Sequence, residues 1–481
     1  MKPLAILDKV DKFVMIGLDC AEPRLVFEEY RPALPNLGRL MDSGLYGRLR
    51  SCHPPITVPA WTCMMTGKDP GRLGSYGFRN RSDYSYEGLA FANSLSVKED
   101  TLWDIFSRQG KRAICLGIPQ TYPPKPLNGY QVSCFLTPDT RSQYTYPADL
   151  RQEIEAAVGR YILDVEGFRT EDKGRLLEQI YQMTRQRFKL ARYLLQRKEW
   201  DLFLMVEIGL DRIHHGFWKY ADPAHRRHEP ASPYASAIRD YYRYLDTEIG
   251  EILRLLPPKT GVLVVSDHGA QRMEGGICIN EWLIQEGYLC LQEKPPQPLP
   301  FNQARVDWSR TLAWGEGGYY SRIFLNVQGR EPQGTIEPAR YEAVRSELIA
   351  KLEALGDENG KPIGTRVYRP EELYALRNGI PPDLIAYFGN LAWRSVGSVG
   401  LGTVHTFEND TGPDDANHAQ HGILILSRAD GNWPGDVGEQ RDLDILDVAP
   451  TVLQAMGMEV PTDMGGRSLV TRRPGDGDVD I

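Results

Sequence analysis

Three short apolar runs frame the chain, at residues 13–18, 202–206 and 262–265. Each gives way to acidic or polar residues: Asp19 after the first, Glu207 and Asp211 after the second, and Ser266, Asp267 and His268 after the third. Runs of this length, rich in Val, Ile and Leu, predict strands buried on both faces of a parallel sheet. The stretches between them carry helical spacing. Residues 34–43 open with Pro35 and are followed by Gly44, and apolar residues recur at helical intervals over 171–197 and 235–256. Strand alternating with helix predicts a doubly wound α/β fold, with a mostly parallel central sheet and helices on both faces. In such folds ligands collect at the carboxyl ends of the strands, where these acidic residues fall.

The pattern changes after about residue 269. A strand is expected at 322–326, a helix at 338–355 and another strand at 384–388, which together read as a small α+β subdomain inserted into the main sheet. The expected division is a first core part at 1–269, an insertion at 270–380 and a C-terminal core part at 381–481. A last core strand is expected at 422–426 and a last long helix at 445–456, before a Gly/Asp/Arg-rich tail expected to fray.

Composition narrows the class. The 481 residues are 41% hydrophobic and 25% charged, which is globular and excludes collagen-like, coiled-coil and disordered chains. The net charge of -8 argues against binding nucleic acid or an anionic membrane through charge alone. No apolar run approaches the roughly 20 residues that cross a bilayer, and residues 1–12 lack the apolar core of a signal peptide. Seven widely spaced cysteines with no CxxC pair predict neither disulfides nor a zinc ribbon, so a reducing cytoplasm is expected, with Cys20 and Cys63 as buried small hydrophobes.

Five places carry chemistry. Asp19 follows a strand directly, where an Asp serves as a ligand or caps a turn. Thr57 precedes Val58-Pro59 and is expected at a helix start, where free N–H groups favour a phosphate oxygen. There it either caps the helix or acts as a nucleophile. Asp211 and His215 share a helix face at i, i+4 and suit a transition metal, with His214 beside them, or else form an ordinary surface pair. Asp267 and His268, followed by Gly269, can turn to one metal if the backbone leaves the extended state. The 412–422 segment brings His418 and His421 to the last core strand, where such a loop is otherwise a solvated connection. Asp19, Asp211, Asp267, His215, His268, His418 and Thr57 amount to three carboxylates, three imidazoles and a hydroxyl. That is about the donor set a two-metal site needs.

In order and wording these motifs resemble the alkaline phosphatase superfamily, in its type I phosphodiesterase/nucleotide pyrophosphatase branch. The residues that carry the resemblance are Gly17-Leu18-Asp19, Pro54 to Trp61, Thr66 to Gly71, Asp211-Arg212-Ile213 with His215, Ser266 to Gly269, and Ala416-Asn417-His418. Nearest is the branch's predicted phosphohydrolase/phosphomutase group, and the likeness runs from about residue 13 to 470. It implies two divalent ions, zinc or manganese. One would be held by Asp211, His215 and His418, and the other by Asp19, Asp267, His268 and the Thr57 oxygen. It implies that Thr57 attacks a small phosphorylated substrate to form a phosphothreonine that water hydrolyses, most simply as a phosphodiesterase. Alternatives are a phosphomutase, a phosphomonoesterase or a non-catalytic phospho-ligand binder. His214 and His421 would stand behind the ligands or touch substrate. Trp61, Arg79, Arg81, Arg212, Trp218 and the 314–320 segment could line a pocket.

The sequence departs from the branch at Ala60, where nucleotide pyrophosphatases carry Asn. It also lacks the Cys/Ser-x-Pro-x-Arg frame that sulfatases need.

Overall fold

A computed structural model describes residues 10–470; the expected fraying of the tail lies outside the described residues but for its first two positions. The three apolar runs are strands Lys12–Leu18, Leu202–Glu207 and Thr260–Val265, and their residues are almost wholly buried. They lie side by side in parallel, with the first in the middle. Ala113–Leu116 and Gly129–Val132 extend the parallel set on one side. On the other side His421–Arg428 runs antiparallel, then Leu45–Arg50 antiparallel to it, making a mixed ten-stranded sheet.

Successive residues of a strand face opposite sides, so the sheet has two cores. Val14, Ile16 and Leu18 pack with helices Lys173–Arg197 and Ala237–Leu253. Phe13 and Met15 pack with helices Thr57–Thr66 and Val448–Ala455 on the other face.

A separate four-stranded sheet orders Ala313–Glu316, Ser321–Leu325, Leu384–Tyr387 and Arg366–Tyr368, with helix Tyr341–Glu353 against it. The expected insertion boundary at 380 cuts through this sheet. Leu384–Tyr387 pairs with Ser321–Leu325 and with Arg366–Tyr368 inside the unit, so its register places it there.

Asp447 fastens the C-terminal helix on which the Thr57–Thr66 helix rests. It accepts from the Asp444 and Arg467 amides at 3.1 and 2.7 Å. Burial, helped by the neighbouring Asp444 charge against the Asp444 amide, lifts its pKa from 3.8 to about 7. The unfolded chain ionises this carboxyl above about pH 4 while the folded chain keeps it neutral to about 7. Its contribution is therefore full at acid pH and is lost as pH rises from 4 to 7. Asp447→Asn is neutral throughout, and its NH₂ must face one of the two amide donors, which lowers its curve by a pH-independent amount; the wild-type curve should fall relative to it between pH 4 and 7. Thermal melts of both proteins across that range check it; parallel curves would contradict it.

Candidate active site

The site forms where the parallel strands end. Asp19 follows the first strand, and Cys20 after it takes a left-handed backbone (φ 69°) that aims its amide at Asp267 Oδ1, 3.3 Å away. The third strand stops at Val265, and Ser266 Oγ, bridging the Ala21 amide (2.8 Å) and the His268 carbonyl (2.6 Å), ties the two turns together. Gly269 matters for a different reason than a left-handed turn: a Cβ there would stand 2.2 Å from the His421 carbonyl oxygen. Helix Gly209–Ala221 starts two residues beyond the Leu202–Glu207 strand and presents Asp211 and His215 on one face. His418 comes from Ala416–Ala419, which pairs with Gly269–Arg272.

Thr57 occupies the first position of its helix. The cap is Ile56, and no side chain caps it, so capping is not what this hydroxyl does. Thr57 Oγ1 lies 3.2 Å from His268 Nε2.

All seven residues named from sequence converge, and all are buried. Each carboxylate has one oxygen engaged: Asp19 Oδ2 by Trp61 Nε1 (2.7 Å), Asp211 Oδ2 by Arg212 Nη1 (2.5 Å), Asp267 Oδ1 by Cys20. The other three oxygens, Asp19 Oδ1, Asp211 Oδ1 and Asp267 Oδ2, are buried without a hydrogen-bond partner. They face imidazole nitrogens: Asp211 Oδ1 is 3.2 Å from His215 Nε2 and 3.7 Å from His418 Nε2. His268 Nε2 is 3.1 Å from Asp267 Oδ2 and 3.7 Å from Asp19 Oδ1. Buried, unpaired carboxylate oxygens are costly unless a cation takes them up. The donor chemistry and geometry therefore fit divalent metal ions.

Two groups of ligand atoms lie within 4.8 Å of one another: Asp211, His215 and His418, and Asp19, Asp211 and His268. The first is the set expected from sequence. Asp211 joins both groups, and Asp267, expected in the second, has its free Oδ2 3.1 Å from the same His268 Nε2.

The electrostatics follow. Burial, with the Asp211 charge, pushes Asp19 well above the usual carboxylate range, and burial with the Asp19 charge does the same to Asp267. Burial also opposes ionisation of Asp211, but His215 and Arg212 outweigh it and hold its pKa well down. Burial brings His268 to about 4 and, with His268 adjacent, pushes His418 well down. His215 moves the other way, because Asp414 and Asp211 outweigh its burial.

Several further expectations resolve differently. His214 is buried against Trp218 and Tyr242, with neither ring nitrogen hydrogen-bonded; burial brings it to about 3. His421 is exposed and lines a groove with Arg48, Arg50 and Arg441, apart from both ligand groups. Trp61 is no pocket wall: it is fully buried and orients Asp19. Arg81 is spent on a buried ion pair with Glu331 and Trp218 is buried. Glu207 turns away from the cluster to Gly209, Thr184 and Tyr241.

Sequence reading missed Arg169 and Asp414, and had Tyr319 only as part of the 314–320 segment that could line a pocket. The Tyr319 ring stacks on His418 with centroids 4.0 Å apart, and its hydroxyl accepts from Arg169 at 2.7 Å. For Asp414 the hint was its place in the 412–422 segment, four residues ahead of His418.

The chain matches the type I phosphodiesterase/nucleotide pyrophosphatase family over residues 13–420. No curated protein matches it in sequence. Among solved structures it shares its fold with phosphonoacetate hydrolase from Sinorhizobium meliloti 1021 in complex with phosphonoformate, at 14% identity and TM-score 0.59, covering 93% of this chain and 96% of that one. Human ectonucleotide pyrophosphatase/phosphodiesterase 5 aligns at 12% identity and TM-score 0.54, over 94% and 96%. The murine protein of that name, solved in complex with AMP, aligns at 12% identity and TM-score 0.53 over the same shares. With most of its length matched, the chain belongs to the type I phosphodiesterase/nucleotide pyrophosphatase family of the alkaline phosphatase superfamily, a family of phosphoric ester hydrolases.

Proposed function

We propose that the protein is a metal-dependent phosphodiesterase that acts on a small phosphorylated substrate, with Thr57 as its nucleophile. One observation carries this: an uncapping threonine hydroxyl at a helix start, 3.2 Å from His268, beside three buried carboxylate oxygens that no protein group satisfies. Asp211, His215 and His418 would hold one divalent cation, and Asp19 and His268 the other, with Asp211 shared and Asp267 and the Thr57 oxygen at hand beside His268 Nε2. Zinc and manganese both suit this oxygen and nitrogen set. When bound, such cations neutralise charge on the phosphoryl oxygens.

The chain supplies the rest. Trp61 and Arg212 fix the free oxygens of Asp19 and Asp211 toward the cluster. The first turn of the Thr57 helix offers unpaired amides and a positive dipole end to the phosphoryl group. As Oγ1 bonds to phosphorus, the ester P–O bond breaks and the hydroxyl proton passes to solvent; water then cleaves the phosphothreonine and restores the hydroxyl. Ala60 is fully buried and brings no polar group to the place where nucleotide pyrophosphatases carry Asn, so the reading stops at diesters and does not extend to nucleotides.

The test compares a nitrophenyl phosphate diester with the matching monoester, on protein stripped by chelator and refilled with Zn²⁺ or Mn²⁺. Turnover should vanish on stripping, return on refilling and favour the diester. A monoester preference would favour a phosphatase or mutase. Full activity in stripped protein would overturn the reading.

A further inference from the structure

The three imidazoles of the site share one arrangement. Each turns Nε2 toward the carboxylates and has Nδ1 held by an acceptor on the far side. For His418 that acceptor is the Pro55 carbonyl oxygen at 3.0 Å, and for His268 the Gly269 carbonyl oxygen at 3.1 Å. His215 differs, since its Nδ1 meets a carboxylate, Asp414 Oδ1, at 2.7 Å. The Asp414 side chain is fully buried. Its other oxygen accepts from Arg169 Nε at 3.0 Å and Arg394 Nη1 at 3.2 Å, from opposite sides in the sequence. Arg169 also donates to Tyr319, whose ring lies on His418 and His215.

Resting on the metal-site reading above, we infer that Asp414 is the positioning residue of the Asp211–His215–His418 centre. It fixes the proton on His215 Nδ1 so that the Nε2 lone pair is free for the cation. An imidazole has one proton to place when neutral, and the acceptor at one nitrogen decides which nitrogen keeps its lone pair. An anionic acceptor also makes the ring a stronger donor than a carbonyl can. Arg169 and Arg394 hold the carboxylate, so it cannot swing away from the ring. Asp19, Asp211 and His268 have no such clamp behind their histidine, and this asymmetry separates the two centres.

The experiment titrates Co²⁺ and Zn²⁺ into stripped wild-type and Asp414→Asn protein, reading cobalt absorption and competition with a chelating dye. Asparagine keeps the shape but removes the charge, and it must also turn an NH₂ toward either the two arginines or His215. The expected result is a 10–100-fold weaker affinity at one centre, with the other essentially unchanged and turnover restored by added metal. Equal affinities at both centres in the variant and wild type would overturn the inference, even if the melting temperature fell. Wild-type protein that binds no cation would instead sink the metal-site reading on which the inference rests. Should Asp414→Asn not fold, Arg169→Met leaves the His215–Asp414 bond in place but frees the carboxylate on one side. A smaller loss at the same centre supports the inference, and unchanged affinity overturns it.

Discussion

Thr57→Ala should lower diester turnover by about 10⁴-fold or more while leaving both cations bound and the protein folded. The expectation follows from what the hydroxyl does not do. It does not cap its helix, so deletion leaves the helix start intact. Its one polar neighbour is His268 Nε2, which also faces Asp267 and Asp19, so the imidazole stays held. Loss of one buried oxygen and one methyl group should cost about 1–2 kcal/mol of stability. Thr57→Ser restores a hydroxyl without the methyl that limits its rotamers, and should recover much of the loss. Acid-quenched wild type should carry a phosphoryl group on Thr57, detectable by peptide mass spectrometry, and Thr57→Ala none. Turnover within tenfold of wild type, at unchanged metal content, would mean that some other group attacks phosphorus.

Much of this site is legible in the sequence because each ligand is set by local pattern. Buried apolar runs give way to charged side chains at their ends, so Asp19 and Asp267 were placed by the runs that precede them. Asp211 and His215 were placed by helical spacing, and Thr57 by the proline after it. Long-range pairings leave no such trace. Asp414 is 199 residues from His215 in the chain, and Tyr319 comes from the turn between two strands of the other sheet. An aspartate in a polar loop reads the same whether it meets solvent or an imidazole. The sharing of Asp211 was hidden for a related reason: spacing shows that a carboxylate is on the right face, but not which of two neighbouring groups its free oxygen reaches. The boundary at 380 failed on sheet register. The 384–388 strand was read with the insertion from its pattern, and its partners Ser321–Leu325 and Arg366–Tyr368 hold it there, past the boundary drawn at 380.

That shared carboxylate makes Asp211→Asn the substitution with the widest reach. Among the described residues Asp211 alone belongs to both ligand groups, with Oδ1 between His215 and His418 and Oδ2 on Arg212. Asparagine offers the cations a neutral oxygen at best. Its NH₂ must face either the Arg212 guanidinium or the imidazole nitrogens, and each choice removes a ligand or leaves a buried donor unpaired. Arg212 keeps Asp164, at 2.7 and 3.0 Å, so the fold should survive with a loss at the low end of the 3–5 kcal/mol that breaking a buried pair costs, about 3. Metal content should fall from two ions to at most one, with turnover down by about 10³-fold or more. Asp267→Asn provides the contrast. It belongs to neither group, its Oδ2 standing 3.1 Å from His268 Nε2, and should keep both ions. Plasma emission measurements of metal per chain decide between them. If Asp267→Asn lost one ion and Asp211→Asn also lost only one, the centres would be divided as the sequence expectation had them, with Asp267 and not Asp211 completing the Asp19–His268 group.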